Sequence, residues 1–309
     1  MEKLLHISVS PHIHGNKTSR GVMLDVIIAL LPAAIAGVIL FGLNALFVIL
    51  TCVVSAVACE ALFKFIVKKE QTIDDLSAVV TGLLLALNLP ANIPLWQAAV
   101  GSAFAIIVEK CFFGGLGKNI VNPAITGRVF MLIAFGSMTA AVFPKGMDSA
   151  SGATPLSDLA NEQAVDLMDL FLGKCGGALG ETCALALRIG GIYLLVRRVI
   201  TWHVPVSFIG VTFILSLLIE GGSFETALAW VLSGGLFIGA FFMATDYVTS
   251  PTTAKGKLIF GVLAGVITVL IRFFGGYPEG VSFAILLMNI VNPYIDSLCV
   301  RKVFGGNKK

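Results

Sequence analysis

The amino-acid sequence predicts an all-α polytopic membrane protein, with about ten transmembrane helices in two inverted five-helix repeats and an external loop between them. Three observations predict it. Of 309 residues 57% are hydrophobic and only 13% charged, and the mean hydropathy of +0.95 lies far above what a soluble domain needs. Apolar runs able to cross a hydrocarbon core of ~30 Å recur along the whole chain. Finally, two strings occur twice in the same order: "CFFGG" (111–115) with "KNIVNP" (118–123), then "RFFGG" (272–276) with "MNIVNP" (288–293). They fall at spans four and five and again at spans nine and ten. An odd number of spans per repeat inverts the second half relative to the first.

In chain order, a polar arm (1–20) ends in "NKTSR" and leads into the first span, 21–42. No typical signal peptide is expected ahead of it. Further spans are predicted at 44–67, 76–89, 95–113 and 124–143, closing a first membrane repeat of 21–143. After an external loop, 144–177, the second repeat (178–299) holds spans at 178–196, 204–220, 224–245, 258–274 and 281–299. A short tail, 300–309, follows. With the N-terminus inside, the inner connectors carry Lys64, Lys68, Lys69, Lys110, Lys118, Arg197, Arg198, Lys255 and Lys257 besides the basic residues of both termini. The outer side receives only Lys145 and Lys174, so both termini are expected in the cytoplasm.

The net charge of +3 and the absence of a basic tail argue against nucleic acid as a partner and leave the lipid bilayer as the surroundings. Six cysteines contain no CxxC, so spacing offers neither a zinc site nor an iron–sulfur ligand set. Cys175 and Cys183 flank the loop and leave a disulfide open. His12 and His14 read as part of a solvated arm.

Arg188 falls near the centre of the sixth predicted span, where an arginine costs roughly 2.5–3.5 kcal/mol unless it finds a partner or water. Glu60, at a similar nominal depth in span two, is a candidate counter-charge. Asp246, Asp25, Glu109 and Arg128 lie within or at the edges of spans, the last two readable as residues of the cytoplasmic interface. Mutual pairing, an ion path and stabilisation of a charged cofactor all remain open for this set; Arg188, Glu60 and Asp246 are the candidates for a redox or ion path. Two polar interruptions, "SAVVTGLLLALNLPANIP" (77–94) and "MATDYVTSPTTAKGK" (243–257), suit broken helices at a midplane or plain helix ends.

The loop holds "DSASGATPLSD" (148–158) and "LANEQAVDLMDLFLGK" (159–174), the latter reading as one short amphipathic helix. Taken alone, Thr154 is an N-cap with Pro155 at N1 and Asp158 in the first turn. The same residues fit a sharper pattern. Asp148, Ser151, Gly152, Ala153 and Thr154 match D-x-x-[ST]-G-A-T, the acceptor signature in which a threonine hydroxyl carries FMN through a phosphoester. The small Gly152 and Ala153 would admit a modifying enzyme, and a helix start favours phosphate.

On "SPHIHGNKTSRGVMLDVIIALLPA", "LSAVVTGLLLALNLP", "NPAITGRVF", "SGATPL", "MATDYVTSP" and "PEGVSFAILLMNIVNPYID", the chain resembles over essentially its whole length the RnfD family, the D-type membrane proteins of Rnf complexes, which are ion-translocating ferredoxin:NAD oxidoreductases. It is more distantly similar to the B-type proteins of sodium-pumping NADH:quinone oxidoreductases, which carry a longer N-terminal extension. The resemblance implies covalent FMN on Thr154, placed there by a flavin transferase and acting as a one-electron relay. Its partners would be the other Rnf subunits, those lettered A, B, C, E and G, in a bacterial or archaeal cytoplasmic membrane. By analogy with the relatives a second, noncovalent flavin such as riboflavin is compatible with the core, although no motif establishes it. No carboxylate cluster has a spacing unique to Na⁺ or H⁺. Without the resemblance, the same repeat and buried charges equally fit a permease-like transporter.

Overall fold

The computed structural model describes residues 18–139, 142–144, 154–161, 163, 165–275 and 279–299. Every regular element among them is helical. Thr18 opens α1 (Ser19–Phe41) by accepting the Gly21 N–H at 3.1 Å, and Gly42, at φ 81°, turns the chain into α2 (Leu43–Ile66). Helix α3 (Ser77–Leu87) stops at Asn88, just ahead of Pro90, and the chain resumes helix only after Pro94, in α4 (Leu95–Phe104). That helix widens into a π-helical stretch, Ala105–Cys111. Asn122 caps α5 (Pro123–Ala134), its Oδ1 accepting from Ala124 N at 3.0 Å and its proline occupying N1. The helix ends well before residue 143, because Phe135 is extended (φ −132°).

The single amphipathic helix expected over 159–174 is instead two short ones, α6 (Pro155–Ala160) and α7 (Leu167–Leu172). Asp166 divides them by taking the Met168 N–H at 2.8 Å as the cap of α7. The second half contains α8 (Ala184–Val196), α9 (His203–Ile219) and α10 (Phe224–Leu232), then a break at 233–235. Beyond the break, α11 (Leu236–Ile238) runs into a π-helical turn, Gly239–Met243, with a 65° bend between the two arms. Helices α12 (Ala254–Phe274) and α13 (Val281–Leu298) complete the chain.

Four helices, α1, α2, α12 and α13, are long and apolar enough to cross a membrane, or up to five if the bent α10–α11 pair is one span. Helices α3, α5, α8 and α9 are equally apolar but shorter. The outward-facing side chains match a lipid solvent: Ile39, Phe65, Ile133, Val196 and Phe274 are each 73–76% exposed. The chain is therefore a multi-pass membrane protein.

The helices pack in a few main pairings. Helix α2 lies against α3 and α4, and α9 against α10 and α12; α1 meets α8 and α5 meets α13 across the middle. Glycines permit the central approach: a Cβ on Gly190 would enter the carbonyl oxygen of Ala29, and one on Gly37 would come within 3.2 Å of the Leu179 carbonyl. The two NIVNP strings are folded differently, the first starting α5 and the second lying inside α13 with Pro293 within the helix. They nonetheless touch. With its amide oriented to satisfy both groups, Asn289 accepts the Asn122 N–H at 3.1 Å.

Candidate functional site

Polar chemistry gathers at two ends of the bundle. At the lysine-rich end, Lys110 of the π-helical stretch reaches Glu60 of α2 at 2.8 Å and the Ser77 hydroxyl at 2.6 Å. Both charged side chains are buried, at 3% and 0% exposure. Thr72 donates to the other Glu60 oxygen at 2.9 Å, and Lys64 binds Thr72 in turn. Each charged and polar group in this chain of contacts has at least one partner, which a buried ion pair requires. Lys110 also lines a cavity of about 90 Å³ shared with Thr81, Asn122, Thr245, Asp246 and Phe241. Asp246 is held by the Thr249 hydroxyl at 3.2 Å.

Asp246 and Lys110 thus line one cavity, and Glu60 is tied to it through its ion pair with Lys110. The structure does not pair Glu60 with Arg188. Nor is Arg188 central in its helix, because 178–183 is an irregular turn and α8 starts only at Ala184. The Arg188 guanidinium lies over the rings of Phe171 from α7 (5.3 Å to the centroid) and Phe237 from α11 (4.6 Å). Two quadrupoles replace a counter-ion here.

The opposite end is built on Thr154. Its Oγ accepts the Ser157 N–H at 3.4 Å and lies 3.0 Å from the Ser157 hydroxyl, the N-cap geometry expected for "TPLSD". Pro155, Leu156 and Leu159 are buried and seat α6 on α10, leaving the Thr154 side chain half-buried at the margin. Toward the backbone this oxygen receives a hydrogen bond and gives none, so esterification would leave the cap in place. A phosphoester-linked group therefore fits the residue. Asp148, Ser151, Gly152 and Ala153 lie outside the described residues, as do His12 and His14.

Leu156 packs on the α10–α11 break, 2.6 Å from where a Cβ of Gly234 would stand; Gly234 has φ 68°. Beneath the break sit further charged residues. Arg128 is 5% exposed; its Nη2 binds Glu181 at 2.6 Å and Glu279, and its Nη1 binds Asn88 at the end of α3. Arg272 donates to the carbonyls of Trp230 (2.5 Å) and Ser233 (3.2 Å) as α10 ends. Away from the break and next to Lys110, Glu109 is buried as well, accepting the N–H groups of Ile120 and Val121 at 3.1 and 2.8 Å. The "SGG" (233–235) and "PEG" (278–280) strings were the available signals for the break and the carboxylate beneath it.

Cys175 and Cys183 are free thiols, with Cys175 Sγ 3.8 Å from the Thr182 carbonyl. Burial, then the Glu181 and Asp169 carboxylates, push the Cys175 thiol up to about 12.

The sequence model of the NQR2, RnfD, RnfE family matches residues 6–305. A curated relative from Acetobacterium woodii, the D component of its Na⁺-translocating ferredoxin:NAD⁺ oxidoreductase complex, is 45% identical over 98% of this chain and 96% of its own. The D component of the proton-translocating ferredoxin:NAD⁺ oxidoreductase complex of Clostridium ljungdahlii is 41% identical over 98% and 97%. That of the ion-translocating oxidoreductase complex of Salmonella arizonae is 36% identical over 99% of both chains.

Proposed function

Because the chain belongs to the NQR2, RnfD, RnfE family, we propose that it is the D-type membrane subunit of an ion-translocating ferredoxin:NAD⁺ oxidoreductase complex. The observation that carries this reading is the near-complete coverage by two relatives bearing that activity in their names. Those two relatives are named for different ions, Na⁺ and H⁺, so the degree of likeness does not select the coupling ion.

Within that complex, Thr154 carries FMN as a phosphoester. Supporting it are the D-x-x-S-G-A-T pattern and a half-buried capping hydroxyl on a helix anchored by Pro155, Leu156 and Leu159. When attached, the flavin supplies one-electron redox chemistry, and the chain supplies its position. Attachment is the role of Thr154, which is neither acid, base nor nucleophile in turnover. The loop faces outward and both termini face the cytoplasm, across about ten spans in two inverted repeats. The matching partners of α2 and α9, and the meeting of α1 with α8 and of α5 with α13, support that symmetry. Glu60 and Asp246 line or back the cavity at the inner end and serve the ion path.

Tryptic mapping of the complex made with its flavin transferase tests the attachment. FMN mass on the peptide containing Thr154, and loss of the fluorescent band from denaturing gels in Thr154→Ala, are expected; an unmodified Thr154 in active complex would refute it. For orientation, single cysteines at Ser157 and Lys255 in a cysteine-free background should react with an impermeant reagent from opposite faces. Equal labelling of both in intact cells would overturn the ten-span arrangement.

A further inference from the structure

Two carboxylates beneath the α10–α11 break share one cationic nitrogen. Arg128 Nη2 binds both Glu181 and Glu279, while Arg272 spends its two terminal nitrogens on backbone carbonyls of Trp230 and Ser233. Among the described residues, the second oxygen of Glu279, Oε1, is buried without a hydrogen-bond partner, as are Ser233 Oγ and Arg272 Nε. Ser233 and Arg272 are only 1% and 4% exposed. Glu279 Oε1 and Glu181 Oε1 approach the same point, 2.8 and 3.1 Å from where a Cβ of Gly235 would stand. A carboxylate oxygen that is dry, unpartnered and next to a second carboxylate is relieved most directly by a proton, since two like charges sharing a site do not both ionise freely. Burial raises the proton affinity of Glu279 first, Arg128 opposes it, and Glu181 adds to it. The break itself contributes no titratable group, only Ser233, Gly234 and Gly235.

This pair lies under the helix that begins at Thr154. Leu156 and Arg272 Nη2 approach Gly234 to 2.6 and 3.3 Å of its missing Cβ, and the two glutamates crowd the adjacent Gly235. Leu156, two residues from Thr154, thus bears on Gly234 and the glutamates bear on its neighbour Gly235, so the capping helix and the carboxyl pair are joined by contiguous packing through which added charge near Thr154 is felt.

We propose that Glu181 and Glu279 form a carboxyl pair that binds one proton, taken up when the flavin on Thr154 is reduced and released when it is reoxidised. The inference rests on the covalent-flavin reading of Thr154. In uptake, one O–H bond forms between a proton from water and the pair. The electron it balances reaches the flavin from the reduced ferredoxin that the complex oxidises, and reoxidation breaks the same bond. A single added negative charge nearby raises the proton affinity of the pair on the order of tenfold.

Redox titration of the covalent flavin in the intact complex, repeated across pH, tests the proposal. Wild type should show a midpoint potential that falls with rising pH over a limited window, and Glu279→Gln should lose that segment while keeping its fluorescent band. A flavin-bearing wild type and Glu279→Gln with superimposable curves would overturn the coupling alone; a wild-type complex with no protein-bound flavin would remove the flavin reading and the coupling with it. Should Glu279→Gln fail to assemble, redox-difference infrared spectra decide. A carboxylic C=O band that appears on reduction in wild type and moves in Glu279→Asp is expected, and its absence from wild type would end the proposal.

Discussion

Replacing Lys110 by methionine should damage the protein far more than replacing Lys110 and Glu60 together. The two charges stand 2.8 Å apart with 3% and 0% exposure. At an effective dielectric of about 20 their attraction is ~6 kcal/mol, which a desolvation penalty of several kcal/mol per ion largely offsets. The intact pair is therefore close to neutral for stability, but a lone Glu60 keeps its penalty and loses its partner. Thr72 alone, at 2.9 Å, does not compensate a carboxylate. Lys110→Met should cost about 3–5 kcal/mol, seen as poor accumulation in membranes and early unfolding in detergent when followed by fluorescence-detected size exclusion. Lys110→Met with Glu60→Gln should recover most of that loss. A double variant as unstable as the single one would refute the pairing as the source. If Glu60 serves the ion path, the rescued double variant should assemble, keep its flavin and yet move no ions.

Three further outcomes are expected. Gly190→Ala, whose new methyl would enter the Ala29 carbonyl oxygen, should cost about 1–3 kcal/mol and lower the midpoint of thermal unfolding, whereas wild-type stability would mean that α1 and α8 can separate freely. Arg188→Leu removes two ring contacts worth up to about 2 kcal/mol and strands no carboxylate among the described residues, so the complex should assemble with its flavin while ferredoxin-driven NAD⁺ reduction falls; unimpaired reduction would retire Arg188 from the redox or ion path. The thiol of Cys175 is raised to about 12, and stays protonated until pH rises far above neutral. Maleimide labelling of a variant retaining only Cys175 should therefore be slow near neutral pH and quicken in alkali. Rapid labelling at neutral pH would contradict that burial.

Helix existence was legible in the sequence because it depends on contiguous apolar stretches, and all the runs predicted as spans contain helix. Their ends were less legible. Span five is expected to reach residue 143 because the apolar run continues there, yet Phe135 leaves helical backbone and α5 closes at Ala134. The α10–α11 break is hidden for the same reason: hydropathy passes smoothly over Ser233, Gly234 and Gly235, whereas the 65° bend depends on Gly234 adopting positive φ. Thr154 was legible as a cap, since a cap is a local pattern. Partners of the buried charges were not. Arg128 and Glu279 are 151 residues apart in the chain, Lys110 and Glu60 are 50 apart, and only folding reveals that Glu60 answers Lys110 while Arg188 faces aromatic rings.

The glycines between α1 and α8 also bear on energy conversion. A machine that stores redox energy as an ion gradient loses that energy through any continuous file of water across its own body. Gly190 brings the two backbones so close that not even a methyl group fits against Ala29, and Gly191 is filled by the Phe241 ring within 2.6 Å of its missing Cβ. Along that line neither water nor a hydrated cation finds a passage. At these contacts the α1–α8 junction is sealed, so the ion path proposed for this chain runs elsewhere, toward the polar cavity lined by Lys110 and Asp246.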